Sequence, residues 1–128
     1  MNKDQTAEYL ANKLQNDRFP DLTEYQEDSE YDQTVVQLWS SFAYEFSYWC
    51  STVGFVPTEL LESADYSESY EQDSMKVFEL AGNRYATVSE CGCSCYDPSW
   101  ASIELHKTWE DAVDTFREYC RISENRNV

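Results

Sequence analysis

The excess negative charge of the first 74 residues limits what this chain can fold into more than any other feature. Met1 to Ser74 holds sixteen Asp and Glu against three Lys and Arg, net −13, while Met75 to Val128 holds nine against six, net −3. Like charges at this density oppose compaction, and high net charge with little apolar surface is the usual mark of disorder. A fold therefore needs apolar groups enough to offset the repulsion. Four Trp, ten Tyr and six Phe in 128 residues provide them, and a chain of this length can bury a core without covalent staples. The expectation is one domain over 1–128, with an acidic helical part at 1–74 and a near-neutral sheet and helix part at 75–128. Salt screens charge over about 10 Å at 0.1 M, so the melting temperature should rise from low to high salt. A melting temperature flat across that range would contradict the expectation.

The apolar spacing divides the chain into elements. Ala7, Leu10, Ala11 and Leu14 predict a first helix over 4–16, closed by Phe19-Pro20. Val35, Leu38, Trp39, Phe42, Phe46, Trp49, Cys50 and Val53 recur at helical steps and predict one long aromatic core helix over about 30–53. Gly54 reads as its stop, and Pro57-Thr58 as the start of a short helix carrying Leu60 and Leu61. Residues 62–74 read as an acidic loop or frayed helix. From Met75 the period changes to two. Met75 to Leu80 and Arg84 to Ser89 predict a hairpin turning at Ala81-Gly82-Asn83, and Ala101 to His106 predicts a third strand. Thr108 with Asp111 starts a last helix whose stripe is Ala112, Val113, Phe116, Tyr119 and Cys120, with Arg117 and Arg121 toward its end. The expected fold class is α+β: N-terminal helices, a three-stranded antiparallel sheet and a C-terminal helix.

The carboxylates are regularly spaced. Asp21, Glu24, Glu27 and Glu30 stand three apart, and so do Glu59, Glu62, Asp65, Glu68 and Glu71. A step of three covers about 4.5 Å in a helix and about 10 Å in an extended chain, lengths that bracket the separation of phosphates along a nucleic-acid strand. A solvated acidic face needs no partner, and runs at this step arise by chance in so acidic a chain. Read as a binding surface, the phosphate surrogates are those nine residues together with Asp28, Asp32 and Asp73. Tyr25, Tyr31, Tyr66 and Tyr70 among them would pack against Arg and Lys of a partner.

The cysteine-rich run Cys91-Gly92-Cys93-Ser94-Cys95 allows a zinc set of Cys91, Cys93, Cys95 and His106. Its single-residue spacers argue against that set, since zinc sites use two to four. The alternatives are a redox or disulfide role, or thiols packed on a strand end beside Cys50 and Cys120. The expectation is no metal and no cofactor. Catalytic patterns are sparse: His106 is the one histidine, and the three glycines form no phosphate loop. A cysteine nucleophile with His106 is a minor alternative to an expected non-enzyme.

Met1 to Gln5 lacks the apolar stretch of a signal peptide, and no apolar run reaches bilayer length. These features suggest a cytoplasmic protein with reduced thiols and no membrane partner. The block Arg84 to Tyr96, followed by Thr108-Trp-Glu-Asp-Ala112, resembles small proteins of bacteriophages and mobile elements. In general acidic character the chain is also similar to phage inhibitors that mimic DNA or block host defence nucleases; no motif transfers a functional residue. The resemblance implies a viral protein working in the host cytoplasm. Its expected partner is a basic nucleic-acid-binding protein of the host, such as a CRISPR or restriction effector, and not nucleic acid itself, with homodimerisation left open. The alternatives are an acidic module that blocks assembly or acts allosterically, and a small cysteine-cluster metal or redox protein.

Overall fold

The computed structural model describes residues 1–93 and 95–126, so Ser94 of the cysteine-rich run lies outside it. In chain order the elements are α1 (Lys3–Leu14), α2 (Gln33–Ser41), α3 (Ala43–Trp49), β1 (Pro57–Asp65), β2 (Glu71–Leu80), β3 (Arg84–Cys93), β4 (Ser102–His106) and α4 (Trp109–Arg126). Short 3-10 turns stand at Thr23–Tyr25 and Pro98–Trp100. The class is α+β, and the four strands form one antiparallel sheet in the order β1-β2-β3-β4.

The first helix starts at a capping box. The Asn2 side chain accepts from the Gln5 amide at 2.8 Å, and the Gln5 side chain accepts from the Asn2 amide at 3.0 Å. Its buried side comprises Thr6, Ala7, Leu10 and Leu14; the last three are predicted by the spacing, while Ala11 is half-buried and Thr6 is buried in addition.

The expected long helix is two. Its path breaks at Phe42 (φ −124°, ψ 29°), which closes α2 and opens α3. The cause is local: the Ser40 and Ser41 hydroxyls donate to the carbonyls of Val36 (2.8 Å) and Gln37 (3.0 Å), a back-bond that bends helices. The bend keeps Trp39, Phe46 and Trp49 buried while Phe42 stacks on Phe46 at 5.2 Å. Val53, expected in the core, is 91% exposed. Phe55 fills that role instead, fully buried against Phe46, Trp49 and Phe78. Gly54 does not end the helix. It carries φ +88° in the turn into β1, where an added Cβ would come within 3.2 Å of Leu105 Cδ1.

The sheet has one strand more than expected. Residues 57–65, read as a short helix running into an acidic loop, form β1 against β2, with Leu60 opposite Phe78 and Asp65 opposite Ser74. Thr-Glu-Leu-Leu-Glu-Ser has helical propensity, but the open edge of β2 offers backbone partners that a lone helix would forgo. The pairing tolerates two register shifts, between Pro57 and Glu59 and between Leu60 and Glu62. The other half of the supposed loop, 71–74, is the start of β2 and pairs with β3, Asp73 opposite Cys91. At the far end of β2 the turn Ala81-Gly82-Asn83 is as expected, with positive φ at Gly82 and Asn83.

The central strands are covered on both sides. Phe78, Leu80, Ala86 and Val88 join the core formed with α1, α2 and α3. Met75 and Val77, also buried, alternate onto the opposite face, against which α4 packs. Thr108 Oγ1 accepts from the Asp111 amide at the start of α4, the cap that the sequence predicts.

Candidate protein-binding surface

The two acidic stretches differ in how they are held. The connector 21–32 is a tight loop built around its aspartates. Asp21 accepts from the Thr23 hydroxyl (2.6 Å) and amide (2.9 Å), which hold its carboxyl below the usual carboxylate range. Asp28 accepts from the Glu30 amide at 2.9 Å, and Asp32 caps α2 by accepting from the Val35 amide at 3.1 Å. Gln33 ties the loop together, its side-chain amide donating to the carbonyls of Tyr25 and Asp28. An Asp side chain closes a compact ring onto a backbone N–H two or three residues ahead, which a Glu side chain, one methylene longer, forms less readily. Glu24, Glu27 and Glu30 therefore extend outward from the same loop and are exposed.

The second stretch follows the same division. Asp65 accepts from the Ser67 amide at 2.8 Å, while Asp73 accepts from Tyr119 Oη (2.8 Å) and pairs with Arg126 (2.6 Å) across to α4. Glu59, Glu62, Glu68 and Glu71 are exposed. None of the ion pairs among the described residues, Lys3–Glu79, Lys76–Glu90, Arg121–Glu118 and Arg126–Asp73, uses a glutamate of either ladder. The expected even step is not kept: along β1 three residues cover about 10 Å, with a register shift between Leu60 and Glu62, whereas Glu68 and Glu71 face each other across the hairpin turn as a hydrogen-bonded pair, about 5.5 Å between Cα atoms.

The exposed face of α2 stands between the two ladders. Glu27 and Glu59 lie on opposite sides of Thr34 and Gln37, the exposed face of α2. The Asp32 amide is bound to Thr6 Oγ1 of α1 at 2.9 Å, and Glu59 contributes to the field that raises the Lys3 pKa, behind its partner Glu79 and Asp4. From there the second ladder runs along β1 to the hairpin tip at 66–70. The tip is fastened to α4, with Tyr66 Oη donating to Glu124 at 3.0 Å and its ring against Tyr119 at 5.8 Å.

The tyrosines need correction. Tyr25 is 4% exposed and belongs to the core, edge-on to Tyr9 and Tyr31 at 5.8 and 5.2 Å, so it presents no contact surface. Tyr31 is half-buried in the same cluster and Tyr66 is half-buried against α4. Of the four, Tyr70 at the hairpin tip is freely exposed, at 77%.

The zinc set is not assembled. His106 is buried at the other end of the sheet, its Nε2 3.0 Å from Thr87 Oγ1, opposite Tyr85 in register. Cys91 lies six residues further along β3, about 20 Å away. Cys93 and Cys95 form a disulfide, and Cys91 is free and exposed. No cluster of three metal-binding side chains occurs among the described residues. Nor do these cysteines line the core with Cys50 and Cys120: Cys50 sits in the helical layer near the Ala11 carbonyl, and Cys120 is on α4 across the sheet.

Burial pushes the Cys50 thiol up from 9.0 to about 11. At pH 8 brief alkylation should label Cys91 and leave Cys50 unmodified until the protein is unfolded, as read by peptide mass spectrometry. Between pH 9 and 11 the unfolded chain loses the Cys50 proton that the fold retains, so this group's contribution to stability falls as pH rises. Rapid labelling of Cys50 in the folded protein would contradict its placement.

Sequence reasoning missed a buried ion pair at core-facing positions, Lys76 on β2 and Glu90 on β3, 2.9 Å apart with side chains 18% and 8% exposed. The available signal was a single charge interrupting each apolar alternation. Searches of protein-family models, curated proteins and solved structures each return no match. No described helix is long and apolar enough to cross a membrane.

Proposed function

We propose that this chain is a non-enzymatic inhibitor that presents its glutamates to the basic nucleic-acid-binding surface of another protein, competing there with DNA or RNA. A phage-type inhibitor of a host defence enzyme, a CRISPR or restriction effector, is the setting that best suits such a protein. The observation that carries the reading is the division of labour among the carboxylates. Five aspartates of the two stretches are bound into turns, a cap or the α4 contact, while seven glutamates project without basic partners from segments fastened at many points. Charge left uncompensated on a well-ordered surface steers association with an opposite surface and costs little ordering on binding. A groove that reads phosphate through Lys and Arg responds to charge and placement, which a protein can supply.

The test is competitive. A bacterial lysate is passed over the immobilised protein at low salt, and bound proteins are eluted in turn with duplex DNA and with high salt. The expected result is one or a few nucleic-acid-binding proteins released by the duplex. Retention of the bound proteins through the DNA step, with release only under denaturing conditions, would show a contact outside the nucleic-acid site.

A further inference from the structure

We propose that the Cys93–Cys95 disulfide is a thiol-exchange site, and that its substrate is a cysteine thiol flanked by basic residues on a protein partner. Both cysteines are exposed, and the bridge spans a sequence separation of 2. The entropy that a disulfide removes from the unfolded chain grows with the loop it closes, so a bridge this short is a weak staple. Exposed disulfides are the ones that thiolates reach, and they form the labile, regulatory or catalytic class.

The surroundings fix its place. Cys93 ends β3 directly opposite Glu71 on β2, and its carbonyl accepts from the Tyr96 amide at 3.0 Å. The face of Gly92 is covered, since a Cβ there would lie 3.4 Å from Tyr96 Cδ2 and 3.7 Å from Trp100 Cε3. Side chains alternate along a strand and opposed residues share a face, so Cys93 points to the other face, beside Glu71. It borders a cleft of about 280 Å³ at the hairpin tip, whose charged groups are Glu68 and Glu71. Arg126, a cation bordering both glutamates, is bound to Asp73 at 2.6 Å.

In the first step a substrate thiolate attacks Cys93 Sγ. A bond forms between the two sulfurs, the Cys93–Cys95 bond breaks, and its electron pair leaves as the Cys95 thiolate, which takes a proton from water. The product is a mixed disulfide joining the partner to Cys93. A second substrate thiolate then attacks the substrate sulfur of that mixed disulfide and releases a substrate disulfide and the Cys93 thiolate, so the bridge gains the two electrons that two thiols lose. The attacking species is an anion that approaches Glu68 and Glu71. Lys or Arg beside it offsets that repulsion and acidic neighbours add to it, which selects a cysteine on a basic surface. A basic surface is also what the proposed function calls for, but the exchange rests on the bridge and these two glutamates alone.

The experiment follows loss of the bridge in the full chain at pH 8, with Cys91 first blocked by brief alkylation. End-blocked peptides Arg-Cys-Arg and Glu-Cys-Glu are added in excess, and samples are quenched with N-ethylmaleimide and measured by mass spectrometry. Each rate is divided by that of the same peptide with hydroxyethyl disulfide, which removes differences in thiol ionisation. At about 10 mM salt the basic peptide should react roughly tenfold faster than the acidic one, and the ratio should shrink toward one at about 1 M, where charge is screened within about 3 Å. Glu68→Gln together with Glu71→Gln, checked for folding by circular dichroism, should reduce the low-salt ratio several-fold. Replacement of Glu24, Glu27 and Glu30 by Gln should leave it within about twofold, so this result stands or falls apart from the inhibitor reading. Free thiols at Cys93 and Cys95 in the protein isolated in air, a bridge that survives the peptides for hours, equal corrected rates for the two peptides at low salt, or a ratio unmoved by the Glu68 and Glu71 substitutions would overturn the proposal.

Discussion

Replacing Phe46 with alanine should destabilise the protein by about 3–5 kcal/mol, the range for deletion of a fully buried Phe. Phe46 is 0% exposed, and its ring lies 5.0 Å from Trp39, 5.2 Å from Phe42, 5.3 Å from Phe78 and 6.0 Å from both Trp49 and Phe55. Five aromatic neighbours cannot all move into the space of one ring, so the cavity persists. Against a typical folding stability of 5–15 kcal/mol the loss is large, and at this chain length it should lower the melting temperature by roughly 10–20 °C. The paired control is Val53→Ala, which should change stability by less than about 0.5 kcal/mol because Val53 is 91% exposed. Equilibrium urea unfolding measures both. Equal losses from the two substitutions would restore the uninterrupted helix over 30–53 that the apolar period suggests and remove the break at Phe42.

The second large effect concerns binding. Changing Glu24, Glu27 and Glu30 together to Lys should weaken association with the DNA-displaceable partner by roughly tenfold to a hundredfold and flatten its salt dependence, since exposed charges contribute up to about 1 kcal/mol each. Any one of them changed to Ala should have a small effect. The aspartates separate stability from recognition. Asp32→Ala removes the α2 cap and should cost about 1 kcal/mol of folding stability, with little change in affinity once the protein is folded. Calorimetric titration at two salt concentrations, beside thermal melts, resolves the two kinds of effect. If the triple reversal binds as the parent does, the glutamates of the connector are not the contact.

The fold was legible wherever a local signal sufficed. The spacing of Ala7, Leu10 and Leu14, the turn at Ala81-Gly82-Asn83 and the Thr108 cap each depend on neighbours a few residues away, and each stands as expected. The misread segments depend on distant ones. Leu60 and Leu61 carry a helical pattern, yet 57–65 becomes a strand because β2 presents an unpaired edge. Phe42 fits the apolar period, yet it sits at a break set by two adjacent serines.

The candidate surface shows the same boundary. Composition and order established how many carboxylates there are, that they concentrate before residue 75 and that they recur at a step of three. Which of them project into solvent was decided by the tertiary structure. Aspartates turn back onto nearby amides, Asp73 is drawn across to Tyr119 and Arg126 of α4, and the glutamates between them remain outside. How the ladders lie relative to each other was likewise set by remote segments: Thr6 holds Asp32, and the α2 face stands between Glu27 and Glu59. Charge is a property of the chain, since every residue carries it wherever it lies. Placement follows from backbone pairing and burial between segments far apart in sequence, and only the folded structure specifies it.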